Sequence, residues 1–242
     1  TNNKFTFVLG VIITLVLFVV VEQLSKFENL KVVTDKLLER GIIPYAIMWL
    51  CGWALAILFV KSLKLRCQCK ALQHVFVPTA QDFVLAPTTA DTVLQRMRDL
   101  VDEPKQFVLL NRIELALSNL SNIGRISDVS EMLNTQAETD ENHMASTYSL
   151  IGGFVWAIPV LGFIGTVLGL SDAIGGFGGV LSKSENISQI TEALKGVTGG
   201  LSVAFDTTLL GLVVALCLQL VVTWLTKKED DFLHACKEYC HL

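Results

Sequence analysis

Asp206, Thr207 and Thr208 are the residues with the strongest chemical character, because residues 196–226 around them carry no other charge. An ionisable side chain near the centre of a membrane helix costs roughly 2.5 to 3.5 kcal/mol on insertion scales, so its presence there points to a purpose. A further hydroxyl, Thr166, lies in a second glycine-rich apolar stretch. One threonine can satisfy itself by donating to a carbonyl one turn back and then signifies little. Three beside an acid can replace part of the hydration shell of a passing ion, or hold a file of waters, while the rest of the helix stays apolar.

The elements that must position these groups are membrane helices. The 242 residues are 52% hydrophobic and 17% charged, with a mean hydropathy of +0.54, which is too apolar for a soluble domain of this length. Uncharged runs cover residues 5–21, 41–60, 142–171 and, broken only by Asp206, 196–226; at ~1.5 Å rise per residue each is long enough to cross a hydrocarbon core of ~30 Å, with the first at the lower limit. Residues 5–21 read as a retained helix and not as a cleaved signal peptide, since Glu22-Gln23-Leu24 stands where small residues would mark cleavage.

The expected fold is therefore all-α: an integral membrane protein with four transmembrane helices and a helical cytoplasmic segment between the second and third. Residues 1–60 form an N-terminal helix pair with an outer amphipathic loop over 22–40, residues 61–149 the cytoplasmic helical region, 150–226 the second helix pair, and 227–242 a cytoplasmic tail. Lys61, Lys64, Arg66 and Lys70 follow the second run, and Lys227 and Lys228 follow the fourth. By the positive-inside rule both termini are cytoplasmic. Within 61–149, helical periodicity covers 90–102, 105–122 and 127–144. The last, with no proline or glycine before Gly152, is expected to run unbroken into the third span and to pack through Val129, Met132, Leu133 and Ala137.

Small residues add a packing signal. Gly162, Thr166, Gly169 and Ala173 recur at intervals of four, three and four, and Gly200, Ala204, Thr207, Gly211 and Ala215 make a comparable stripe, so each span presents a face that another helix can approach closely. Gly162, Gly169, Gly200 and Gly211 are the helix-packing glycines, and Pro159 is a candidate kink.

These two stretches resemble a known family. Residues 158–169, from Ile158-Pro159-Val160 to Gly165-Thr166-Val167-Leu168-Gly169, are similar to the proline-led Gly-Thr-Val-x-Gly helix of the MotA/TolQ/ExbB family, and residues 199–212, with Ala204-Phe205-Asp206-Thr207-Thr208, resemble the helix that follows it. The resemblance covers about residues 151–224. It implies a homopentameric ring in the bacterial inner membrane, set around a MotB/TolR/ExbD-like single-span partner that bears its own membrane aspartate. Proton or sodium flow along that interface would drive rotation, with Thr166 and Thr208 matching pore-facing threonines. Thr207 and Asp206 complete the candidate ion pathway. The sequence departs from the TolQ and ExbB pattern where Val203 replaces a glutamate, its own acid coming one turn later at Asp206. Asp206 and Thr208 lie ~160° apart on a helix, which leaves two placements for the acid, the lumen or a contact between subunits. Asp172, near the outer end of the third span, is a solvated helix end or an attractor of cations.

Other chemistry has little support. No Walker-type loop, HExxH pair or nucleophile elbow is present, so the chain does not read as an enzyme. Acidic and basic residues are mixed along 71–143 and the net charge is −4, unlike a nucleic-acid binder. Cys67, Cys69, Cys236, Cys240 and His241 fit no standard zinc spacing, so neither a metal nor another cofactor is expected. An autonomous channel or secondary transporter would need broken helices and coupling carboxylates of its own. A membrane scaffold would use the small-residue stripes for packing alone.

Overall fold

A computed structural model of the protein describes residues 8–16, 19, 42–72, 94–95, 106–123, 126–181 and 187–241. Among them there is no strand. Five helices follow in order: α1 (Ile42–Leu72), α2 (Val108–Ile123), α3 (Ile126–Thr147), α4 (Ser149–Leu181) and α5 (Ile187–His241). A short helical segment, 8–16, precedes them. Among the described residues, three helices are long and apolar enough to cross a membrane: Ile42–Leu72, Asp128–Gly178 and Ile190–Cys240. The rest of the first apolar run, the expected amphipathic loop over 22–40 and most of the expected helix 90–102 lie outside the described residues.

The chain forms two compact units, each built from two separated stretches: residues 1–60 with 150–223, and residues 61–149 with 224–242. In the first, Gly10 of the N-terminal segment lies against Trp53, and Gly52 of α1 lies against Thr14. The Trp53 ring stacks obliquely on Phe154 of α4, centroids 5.1 Å apart. Pro159 sits inside α4, where its missing N–H removes one rung of the helical ladder; helix continues on both sides.

In the second unit α2 packs on α3. Leu109, Leu110, Ile113 and Leu117 are buried on one side and Leu133 and Ala137 on the other, each fully buried leucine contributing roughly 1.5–3 kcal/mol. Gln68 of α1 anchors the start of α2: its Oε1 accepts from the Val108 backbone N–H at 3.2 Å and its Nε2 donates to the Gln106 carbonyl at 3.3 Å. One of the helix's orphan donors is thereby satisfied.

As expected, the helix from 127 runs on into the third span, one long stretch over Asp128–Gly178, with a single irregular residue. The regular bonding pattern changes at Tyr148, whose backbone N–H reaches back only three residues, to the Ala145 carbonyl at 3.1 Å. The tighter turn ends α3 and begins α4 without any proline or glycine.

Candidate functional site

The contact between α4 and α5 is built by residues that lack bulk. A Cβ added at Gly162 would stand 3.0 Å from the Thr207 carbonyl oxygen and 3.2 Å from the Thr208 Cα, and one added at Gly211 would stand 3.0 Å from the Ile158 carbonyl oxygen. At Gly200 it would come within 2.6 Å of the Ala173 Cβ, and at Gly169 within 3.2 Å of the Gly200 carbonyl oxygen. Backbones this close leave carbonyls of one helix within reach of hydroxyls on the other.

Thr166 and Thr208 use that proximity. The Thr208 hydroxyl donates to the Gly162 carbonyl at 3.1 Å. Thr166 reaches its own helix at the Gly162 carbonyl, 3.3 Å, and the facing helix at the Ala204 carbonyl, 3.2 Å. The two hydroxyls also hydrogen-bond each other. Each threonine has one proton and two lone pairs, so two protons are distributed over two carbonyls and the partner hydroxyls. Several arrangements satisfy the pair, and rotation about a Cβ–Oγ bond exchanges them.

The remaining sequence candidates divide around this pair. Thr207 is buried, 3% exposed; it lies against Gly165 and spends its proton on the Ala204 carbonyl of its own helix at 2.9 Å. Asp206 is not in the cluster. Its carboxylate accepts from Ser202, one turn earlier, at 3.5 Å, and on α5 it shares the face opposite the α4 contact with Leu209, Leu216 and Leu220, each more than 60% exposed. Asp172 is exposed and lines a cleft of about 460 Å³ with Gly169, Gly200 and Val203 among others.

Sequence reasoning missed the charged groups buried in the second unit. Lys61 donates to both Glu229 oxygens, at 3.2 and 3.1 Å, with both side chains under a tenth exposed, and its ammonium lies 3.5 Å from the Tyr148 ring centroid. Arg112, 1% exposed, donates through Nε to Asp140 at 2.8 Å, and Gln136 donates to the other Asp140 oxygen at 2.9 Å. No local spacing signals these pairs, whose members lie 168 and 28 residues apart. Beyond the uncharged run that ends at Thr226, burial pushes the Cys236 thiol up to about 12, so it is protonated at neutral pH. Among the described residues no three metal-ligating side chains cluster.

A family model, the MotA/TolQ/ExbB proton channel family, matches residues 101–238. The match takes in both helices of the hydroxyl pair and extends upstream through α2 and α3. No curated protein and no solved structure matches the chain.

Proposed function

Since the chain belongs to the MotA/TolQ/ExbB proton channel family, a membrane protein of helices, we propose that it is the ring-forming subunit of an ion-driven motor in the bacterial inner membrane. The observation that carries this reading is the pairing of Thr166 with Thr208 across the α4–α5 contact, at the positions where the family resemblance puts pore-facing threonines. In the proposed assembly five copies surround a MotB/TolR/ExbD-like single-span partner. All four apolar runs cross the bilayer, with both termini and residues 61–149 cytoplasmic. A proton or sodium ion neutralises the partner's membrane aspartate, which lets that charge move through a low-dielectric setting as the ring steps past it.

The exposed apolar side chains on α4 and α5, Phe163, Val167, Phe205 and Leu209 among them, are compatible with an assembled ring in a bilayer, since a surface of this kind needs lipid or protein against it. Asp206 stands on that surface. In the assembly it faces either the lumen or the next subunit.

The reading is tested by ion flux into liposomes with and without the partner. Flux that requires the partner and disappears in Thr166→Val or Thr208→Val, with assembly intact by gel filtration, is the expected result. Equal flux from the chain alone would make it an autonomous channel, and wild-type flux in both variants would remove the threonines from the route.

A further inference from the structure

We propose that a cleft between α1 and α5 in the second unit binds the phosphate headgroup of an anionic membrane lipid. The cleft, about 550 Å³, is lined by Arg66, Lys70 and Lys228 against a single carboxylate, Asp231. Below these side chains the wall is apolar, with Leu65, Leu225 and Phe232 buried. Trp224 on the same wall is 53% exposed, and the Lys228 ammonium lies 4.1 Å from its ring centroid.

Three observations converge on a lipid. The uncharged runs end at Val60 and Thr226, six residues before Arg66 and two before Lys228, which at ~1.5 Å per residue puts both cations within ~10 Å of the apolar boundary, at headgroup depth. A tryptophan beside lysine at that depth is the arrangement of a membrane interface. Basic pockets between helices at the end of a bilayer span are suited to anionic headgroups. A soluble anion would make no use of the exposed Trp224 ring on the cleft wall, whereas a lipid uses the cations and that apolar surface together. The inference rests on the membrane reading alone and is independent of whether the assembly is a motor.

Native mass spectrometry of the full chain, released from bilayers of phosphatidylethanolamine with about one quarter phosphatidylglycerol, tests it. Wild type is expected to retain phosphatidylglycerol over phosphatidylethanolamine by about five-fold, and Arg66→Gln/Lys228→Gln by no more than about two-fold. Lys227→Gln, which removes an exposed cation outside the cleft, is expected to keep the wild-type preference. Absence of preference in the wild type, an unchanged preference in the double variant, or equal loss in Lys227→Gln overturns the proposal. Displacement of the lipid by inorganic phosphate at about 10 mM would reassign the cleft to a soluble anion, and capture of an acidic peptide without lipid preference would reassign it to a protein partner.

Cys69, exposed on the cleft wall, gives a second readout on the unmutated protein. Phosphatidylglycerol is expected to slow maleimide labelling of Cys69 by about three-fold while leaving Cys67, exposed outside the cleft, unchanged. Equal slowing at both, or at neither, overturns the proposal even if the double variant fails to fold.

Discussion

The two units solve the same problem, bringing helices together, by opposite means. In the first, α4 and α5 meet through glycine, alanine and threonine, and the polar side-chain contacts named between these two helices are hydroxyls bonded to a carbonyl or to another hydroxyl. In the second, long charged side chains are buried and paired, Lys61 with Glu229 and Arg112 with Asp140. Without water, and without charge to spare, close approach and short hydroxyls hold helices together. Near the polar end, full charges are tolerated provided each meets its counter-ion. The first device depends on what side chains leave out and the second on what they reach.

The largest effect is expected from unpairing the buried charge. Glu229→Ala leaves Lys61 as an uncompensated buried cation and is expected to destabilise by about 3–5 kcal/mol, read as a lowered midpoint of thermal unfolding in detergent. Lys61→Met/Glu229→Leu should recover most of that loss, because an apolar pair of similar size needs no counter-ion. A double variant as unstable as the single one would mean that the Tyr148 contact, and not the ion pair, holds this region.

Next comes bulk at the small-residue contact. Gly200→Ala places a methyl 2.6 Å from the Ala173 Cβ, and the two helices must separate, costing about 1–3 kcal/mol. Gly196→Ala on the same helix meets nothing within 4 Å and should be neutral, or stabilising by up to about 1 kcal/mol through helix propensity. If Gly196→Ala instead lowers the assembly's size on gel filtration, that glycine packs against a neighbouring subunit.

Hydroxyl removal is expected to matter less to stability and more to flux. Thr208→Val forfeits the bonds to Gly162 and Thr166 at about 0.5–1.5 kcal/mol, with ion flux abolished under the proposed function. The smallest destabilisation is expected at Asp206, on the face away from the α4 contact, where Asp206→Asn keeps an acceptor for Ser202. Flux lost in Asp206→Asn with the ring intact assigns the acid to the ion path. Flux retained, together with dissociation in Asp206→Ala, assigns it to a subunit contact.

What the sequence made legible follows this division. The α4 and α5 stripes could be read because the relevant chemistry is smallness repeated at helical spacing, and Ala173, Ala204, Thr207 and Ala215 are all buried. Helices α2 and α3 begin and end within three residues of the expected bounds, since their apolar periodicity is local. The irregularity at Tyr148 carried no composition signal. The buried ion pairs were illegible for a different reason: Lys61 counted only as one of several basic residues marking a membrane boundary, and nothing near it names Glu229 as its counter-ion. The same basic cluster therefore has two roles, one visible as a charge bias and the other only as a contact.

That pairing also sets a timetable for biogenesis. Lys61 and Glu229 are separated by 168 residues, and each unit is closed by a late stretch of chain, residues 150–223 for one and 224–242 for the other. At roughly 5–20 residues per second of synthesis, Lys61 waits about 8–34 s before its counter-ion leaves the ribosome. During that interval the nascent chain has a cation that neither lipid nor a finished core can accept, so it must stay hydrated at the bilayer surface or be sheltered by insertion machinery. The cation is relieved only when the C-terminal part of α5 arrives and Glu229 meets it.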